Sequence, residues 1–114
     1  GQSFGGLAAV DLVLERPDVF GAAISQSGSF WWNGDDADEQ RWIWDDRLRV
    51  ADRSGSRLWL EAGTLEGDMQ ALTERFAGAA RMAGVAVAQR EFCGGHDVVQ
   101  WRDGFVTGLV DLLS

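Results

Sequence analysis

The chain has 114 residues, of which 46% are hydrophobic, and this length fits one globular domain or part of one. Its 18 acidic and 10 basic residues give a net charge of -8, and no basic stretch favours binding to nucleic acid or to an anionic membrane. A single cysteine excludes an internal disulfide, no apolar run approaches the roughly 20 residues of a membrane span, and no secretory leader is visible.

The first predicted element is a helix over residues 4–15. Its side chains are apolar almost all round, which is typical of a deeply buried helix, and Arg16-Pro17-Asp18 ends it. A short run bounded by glycine, residues 21–27, then predicts a buried strand. Apolar positions at helical spacing predict a second helix over residues 40–53.

The second half of the chain repeats the alternation of strand and helix. Residues 57–62 and 85–92 predict strands. The helix between them starts near Met69 and ends at Gly84, and a last helix carries one apolar stripe: Val98, Trp101, Phe105, Leu109 and Leu112. Strands that alternate with helices in this way predict an α/β fold, with a parallel sheet and helices on its faces.

The first five residues match the G-x-S-x-G nucleophile elbow of α/β-hydrolases. In this motif a serine, here Ser3, sits on a sharp strand-to-helix turn, and the small residues Gly1, Gly5 and Gly6 let the two backbones approach. The helix that follows presents free N–H groups to a developing oxyanion, and the backbone N–H of Phe4 is the candidate donor. The alternative interpretation is a glycine-rich turn before a helix.

The only histidine, His96, lies between the third strand and the last helix on a loop that contains Gly94 and Gly95. A lone histidine is more often a surface or packing residue. In parallel α/β sheets, however, active residues follow the carboxyl ends of strands, so the elbow makes His96 the candidate general base.

Two acidic residues in the loop after the second strand are candidates for orienting this histidine. Glu66 is preferred, because Asp68 stands just before a helix and could serve only as its cap. A third carboxylate, Glu61, lies inside the strand and is interpreted as a buried pair partner. The acid of such a triad holds the imidazole tautomer and stabilises the imidazolium.

The single cysteine offers an alternative nucleophile that we consider weaker. Cys93 and His96 are three residues apart on one turn, which is a poor geometry for in-line attack, and Cys93 is expected to be a small buried residue at a strand end. One histidine and one cysteine do not make a metal cluster, so we expect neither a metal nor another cofactor.

Four segments resemble the C-terminal half of the enterochelin esterases, which are α/β-hydrolases of the esterase D type: GQSFGG, RPDVFGAAISQSGSFWW, LEAGTLE and GGHDVVQWR. The resemblance spans nearly the whole chain. It implies a triad of Ser3, Glu66 and His96, in which Glu66 matches less securely than the other two because its loop varies. It also implies that residues 1–114 are the C-terminal part of one α/β-hydrolase domain, without the upstream strands and N-terminal domain of the family.

The same resemblance implies a substrate. Enterochelin esterases cleave the trilactone of catecholate siderophores, so we expect a ferric siderophore as the small-molecule ligand, with iron released in the cytoplasm. Trp31 and Trp32 could stack on catechols, and Arg102 could pair with an anionic catecholate. The alternative for these three residues is an ordinary core or helix-face position.

Two other functions stay open from the sequence. One is a general carboxylesterase of the same superfamily. Only the SQSGSFWW and GGHD…WR segments distinguish a siderophore esterase from it. The other is a non-catalytic fragment that only binds a ligand or partner.

Overall fold

The computed structural model describes residues 1–34, 42–49 and 55–114. The helices are α1 (Phe4–Glu15), α2 (Ile43–Arg49), α3 (Met69–Met82) and α4 (Val98–Leu113), and the strands are β1 (Ala22–Gln26), β2 (Arg57–Gly63) and β3 (Ala86–Phe92). Each predicted element is present with bounds that differ by two residues or fewer within the described ranges. The predicted helix over 40–53 includes α2, while residues 40, 41 and 50–53 lie outside the described part of the chain.

The three strands form one parallel sheet in the order β1-β2-β3. Ile24 pairs with Trp59 in the first interface, and Trp59 pairs with Ala88 in the second. The predicted α/β fold with a parallel sheet is therefore confirmed. Because all strands run the same way, the loops that follow them emerge at the same end of the sheet.

The main core lies on the sheet face that α1 and α3 cover. Its buried side chains include Val10 of α1, Leu58 and Leu60 of β2, and Phe76 of α3. Phe76 stacks on Phe30, with ring centroids 4.2 Å apart, and two tryptophans of the α2 region, Trp42 and Trp44, pack edge-on against this pair.

Helix α4 packs on the opposite face of the sheet, and two of its glycines allow a close contact. Gly104 lies directly against the Glu61 carboxyl group, and Gly108 lies against the Trp59 ring. These two glycines are the buried residues of α4. The absence of side chains lets the helix approach the sheet closely enough to contact β2.

The prediction of a deeply buried helix holds for only one side of α1, whose other side is exposed. Phe4 is 55% exposed and Leu12 is 48% exposed. An apolar sequence shows that a helix can be buried, but it does not show how much of the helix is covered. Only one face of α1 packs on the sheet, and Leu12 lines an open groove together with Phe105 of α4. In the described residues no helix is both long and apolar enough to cross a membrane.

Candidate active site

Ser3 adopts a strained backbone conformation between the edge of the sheet and α1. Its φ of 54° and ψ of -125° lie in a region that non-glycine residues rarely occupy. Two hydrogen bonds with β1 hold it: Ser3 N donates to the Gln26 carbonyl at 2.9 Å, and Gln26 N donates to the Gly1 carbonyl at 3.0 Å. Such strain costs about 1–3 kcal/mol and persists only where the surroundings determine it.

Two of the three glycines around Ser3 are required by close contacts. A Cβ on Gly1 would come within 2.5 Å of the Gly5 carbonyl carbon, and a Cβ on Gly6 would come within 2.8 Å of Ser25 Oγ. A Cβ on Gly5 would meet nothing within 4 Å. The expectation that Gly5 must be small was therefore wrong, because the crowded contact falls one residue later, where α1 crosses β1.

The loops after β2 and β3 are joined by backbone hydrogen bonds. Thr64 N donates to the Phe92 carbonyl at 2.9 Å, and Leu65 N donates to the Gly94 carbonyl at 3.0 Å. A Cβ on Gly63 would clash with that same Gly94 carbonyl, so the two loops need glycine where they meet. These contacts fix the loop that carries Glu66 against the loop that carries His96.

The structure brings the Glu66 carboxylate to the His96 ring. Nδ1 of His96 lies 2.6 Å from Oε1 of Glu66, and because a carboxylate only accepts, Nδ1 carries the shared proton. The side chain of Glu66 is 1% exposed and that of His96 is 43% exposed. Oε2 of Glu66 also accepts a hydrogen bond of 2.6 Å from Gly63 N. This arrangement leaves Nε2 of His96 as the nitrogen available for chemistry.

The other two carboxylates considered from the sequence lie elsewhere. Asp68 is exposed immediately before α3, and its side chain makes no capping hydrogen bond, contrary to the capping role considered for it. Glu61 is fully buried, accepts a hydrogen bond of 2.6 Å from Gln26 Nε2, and lies 3.5 Å from Arg90 Nε. Burial raises the pKa of Glu61, against the opposing effects of the Gln26 hydrogen bond and the Arg90 charge.

The Ser3 hydroxyl lies near a second serine. Ser3 Oγ is 3.5 Å from Ser29 Oγ, and Ser29 N donates to the Ser3 carbonyl at 3.3 Å. A hydrogen bond between Ser3 Oγ and the His96 ring is not formed among the described residues. In unliganded sites such bonds are often long and tighten only when substrate binds.

Sequence reasoning missed two residues that contact the acid–histidine pair. Ser27 Oγ donates to Glu66 Oε2 at 2.8 Å, and Trp101 Nε1 donates to Ser27 Oγ at 2.9 Å. Trp101 also meets the His96 ring edge-on, with centroids 4.6 Å apart. The only signal in the sequence was their position inside the SQSGSFWW and GGHDVVQWR segments.

The remaining predicted site residues occupy exposed positions around this arrangement. Phe4 starts α1, and its backbone N–H, which no helical carbonyl can reach, has no acceptor among the described residues. Trp31 is 53% exposed and packs edge-on against Phe4 at 5.4 Å, and Trp32 is 39% exposed. Arg102 is exposed on α4 and lines a groove of about 470 Å³ with Trp101.

One expectation about Cys93 was wrong. The residue is exposed rather than buried, because it follows the last residue of β3 and lies outside the packed sheet. The capping position at the start of α4 belongs to Asp97, whose carboxylate accepts a hydrogen bond of 2.7 Å from Val99 N. This cap fixes the start of α4 at Val98, two residues after His96.

Residues 1–112 match the protein family described as "Putative esterase". The chain belongs to this esterase family. It is 36% identical to the iron(III) enterobactin esterases of Dickeya dadantii (strain 3937) and Escherichia coli (strain K12), over 100% and 98% of the chain respectively. The chain spans 28% of the length of each of these relatives.

A solved structure agrees with these relatives. The chain superimposes with a TM-score of 0.84 on the crystal structure of the enterobactin esterase from Shigella flexneri in the presence of enterobactin. The two share 36% sequence identity, over 98% of this chain and 29% of the other. The resemblance to enterochelin esterases and the α/β-hydrolase fold class are therefore confirmed.

Proposed function

We propose that this chain forms the catalytic C-terminal part of an α/β-hydrolase domain in a cytoplasmic serine esterase. The enzyme hydrolyses the ester trilactone of a ferric catecholate siderophore and so releases iron. The observation that carries the catalytic part of this proposal is the 2.6 Å contact between buried Glu66 and His96, at the same end of the sheet as the strained Ser3 turn. The 36% identity to iron(III) enterobactin esterases supports the substrate class.

In the proposed mechanism Ser3 Oγ attacks the ester carbonyl carbon and transfers its proton to His96 Nε2. The carbonyl oxygen becomes an oxyanion, which accepts a hydrogen bond from the Phe4 N–H at the start of α1. The imidazolium then protonates the departing alkoxide as the C–O bond breaks, which leaves an acyl-enzyme on Ser3. Glu66 stabilises the imidazolium throughout by accepting from Nδ1.

Deacylation repeats the same steps with water as the nucleophile. His96 Nε2 removes a proton from a water molecule, the resulting hydroxide attacks the acyl carbon, and the tetrahedral intermediate collapses to a free carboxylic acid. His96 returns the proton to Ser3 Oγ. Three ester bonds in one trilactone would require three such cycles for complete hydrolysis.

The exposed aromatic and cationic residues supply the proposed substrate contacts. Trp31 and Trp32 are exposed, and Trp31 packs against Phe4 of the elbow, so these rings can stack on a catechol. Arg102 makes no ion pair with any residue that the structure describes, so its guanidinium is available to an anionic catecholate. With a net charge of -8, attraction of an anionic ligand depends on such local contacts.

The proposal is tested in the complete protein that contains this chain. Hydrolysis of a ferric catechol trilactone and of a simple aryl ester is followed for the parent and for Ser3→Ala, His96→Ala and a control, Ser114→Ala. We expect each of the first two substitutions to lower kcat by about a million-fold, because triad members act as a unit. The control removes a hydroxyl that contacts only the Val110 carbonyl, so it should hydrolyse the trilactone at the parent rate.

Covalent labelling gives an independent measurement. A fluorophosphonate probe should add its mass to the peptide that contains Ser3 and to no peptide of Ser3→Ala. Labelling at Cys93 instead would refute Ser3 as the nucleophile. Efficient turnover of the aryl ester without turnover of the trilactone would favour a general carboxylesterase.

A further inference from the structure

Ser27 and Trp101 form a chain of hydrogen bonds that ends on the buried Glu66 carboxylate. The indole Nε1 of Trp101 donates to Ser27 Oγ at 2.9 Å, and Ser27 Oγ donates to Glu66 Oε2 at 2.8 Å. The two residues are 74 positions apart in the chain, one directly after β1 and the other in the second turn of α4. We call this pair the Ser27–Trp101 clamp.

The direction of these bonds is fixed by the chemistry of the groups. An indole N–H can only donate, so Ser27 Oγ must accept from Trp101. The hydroxyl has one hydrogen, and that hydrogen is thereby directed at Glu66. The carboxylate then has donors at both oxygens: Ser27 and Gly63 N at Oε2, and His96 at Oε1. A carboxylate with a 1% exposed side chain has no water to replace a lost donor.

The strained backbone of Ser27 is a second observation that indicates a functional role for this residue. Its φ of 50° lies in the left-handed region, and Ser27 N is held by a 2.8 Å hydrogen bond to the Glu61 carbonyl. Among the described non-glycine residues, positive φ occurs only at Ser3 and Ser27. Such strain collects at functional sites, where a side chain must be directed to one place.

We propose that Ser27 and Trp101 are positioning residues that hold Glu66 in the orientation that directs His96 towards Ser3. The inference rests on the proposed function. Trp101 contributes twice, because its ring edge also packs against the His96 ring at 4.6 Å. Loss of the clamp should leave the substrate contacts in place and allow Glu66 to rotate, so it should reduce kcat and change KM little.

The kinetic test uses Ser27→Ala, Ser27→Gly, Trp101→Phe and a control, Thr107→Ala, in the complete protein. We expect each clamp variant to lower kcat by about 10- to 100-fold, the range for a small misplacement of a catalytic group, with KM within about threefold of the parent. The control removes an exposed hydroxyl of α4 and should retain the parent kcat.

The two substitutions at Ser27 separate the hydroxyl from the backbone. Alanine and glycine both remove the hydrogen bond, but only glycine tolerates a φ of 50° without strain. Equal losses of kcat support the clamp, whereas a glycine variant with the parent kcat would overturn it. The double variant Ser27→Ala/Trp101→Phe should lose less than the product of the single losses, since removing Ser27 already removes the acceptor of Trp101.

A spectroscopic measurement does not depend on the substrate. The proton between His96 Nδ1 and Glu66 should give a downfield ¹H resonance that is absent in His96→Ala. This resonance should move or broaden in Ser27→Ala while the circular dichroism and the melting temperature stay near those of the parent. An unchanged resonance together with an unchanged kcat would overturn the clamp. Retained hydrolysis in Ser3→Ala would instead refute the proposed function and leave this measurement valid.

Discussion

Substitution of Gly104 by alanine tests how tightly α4 is held against the sheet. A Cβ at this position would lie 2.5 Å from the carboxyl carbon of Glu61 and closer still to both of its oxygens. The carboxyl group cannot move aside easily, because it is fully buried, accepts from Gln26 at 2.6 Å and lies 3.5 Å from Arg90 Nε. We therefore expect α4 to shift outwards or the buried contacts of Glu61 to break.

The matched control is Gly78→Ala, in the interior of α3. A Cβ at Gly78 would meet nothing within 4 Å, so alanine there should stabilise the protein by about 0.5–1 kcal/mol through helix propensity alone. The same propensity gain applies at Gly104 and cancels in the comparison. The difference between the two variants then measures overpacking, which typically costs about 1–3 kcal/mol.

The assay is thermal unfolding of both variants under identical conditions. For a domain of about 150–250 residues, about 1–3 kcal/mol corresponds to a melting temperature that is roughly 2–12 °C lower for Gly104→Ala than for Gly78→Ala. Because α4 carries Trp101 and begins just after His96, Gly104→Ala should also lower kcat. Equal melting temperatures for the two variants would refute the close approach of α4 to Glu61.

Two further predictions concern the carboxylates. Because burial raises the pKa of Glu61, the stability that its protonated form contributes is present below the ordinary glutamate pKa and is lost as pH rises through the higher folded pKa. The free energy of unfolding of the parent relative to Glu61→Gln should therefore fall as pH rises from the ordinary glutamate pKa through that higher value. Urea unfolding at several pH values that showed a constant or rising difference would contradict this. Glu66→Ala should lower kcat by about 10⁴-fold, because the buried Glu66 carboxylate contacts His96. Asp68 is exposed, so the kcat of Asp68→Ala should stay within about threefold of the parent value. If steady-state rates showed Asp68→Ala to be the more impaired variant, the acid would be reassigned to Asp68.

Hydrophobic periodicity predicted the positions of the helices and strands because it reports local burial. The bounds of α1, residues 4–15, were predicted without error, and the strand over 57–62 differs from β2 by one residue. Periodicity does not show which other elements of the fold cover each face of a helix. Leu12 is as apolar as Val10, yet Val10 is fully buried and Leu12 is 48% exposed. The degree of burial of α1 therefore could not be derived from its own sequence.

Some parts of the candidate site could be predicted from consecutive residues, and others depend on contacts between residues that are distant in sequence. The Ser3 turn could be predicted from five consecutive residues, because its close backbone contacts require Gly1 and a helix that starts at once. The sequence favoured Glu66 over Asp68 but did not show where the Glu66 carboxylate lies, since that position depends on hydrogen bonds from residues 64 and 65 to the loop after β3. The conformation of Ser27 was equally hidden, because serine has no preference for positive φ.

The parts of the site that are distant in sequence meet on the side chain of Gln26, which is fully buried. Its Oε1 accepts from Gln2 Nε2 at 2.8 Å, beside Ser3. Its Nε2 donates at 2.6 Å both to Glu61 and to the Trp101 carbonyl, at the base of the clamp. One amide thus joins the Ser3 turn to the helix that follows His96, so we expect a shift of α4 to displace the Ser3 turn as well. The Gln26 side chain therefore links the start of the chain, the middle of β2 and the first part of α4 at the end of the sheet where Ser3 lies.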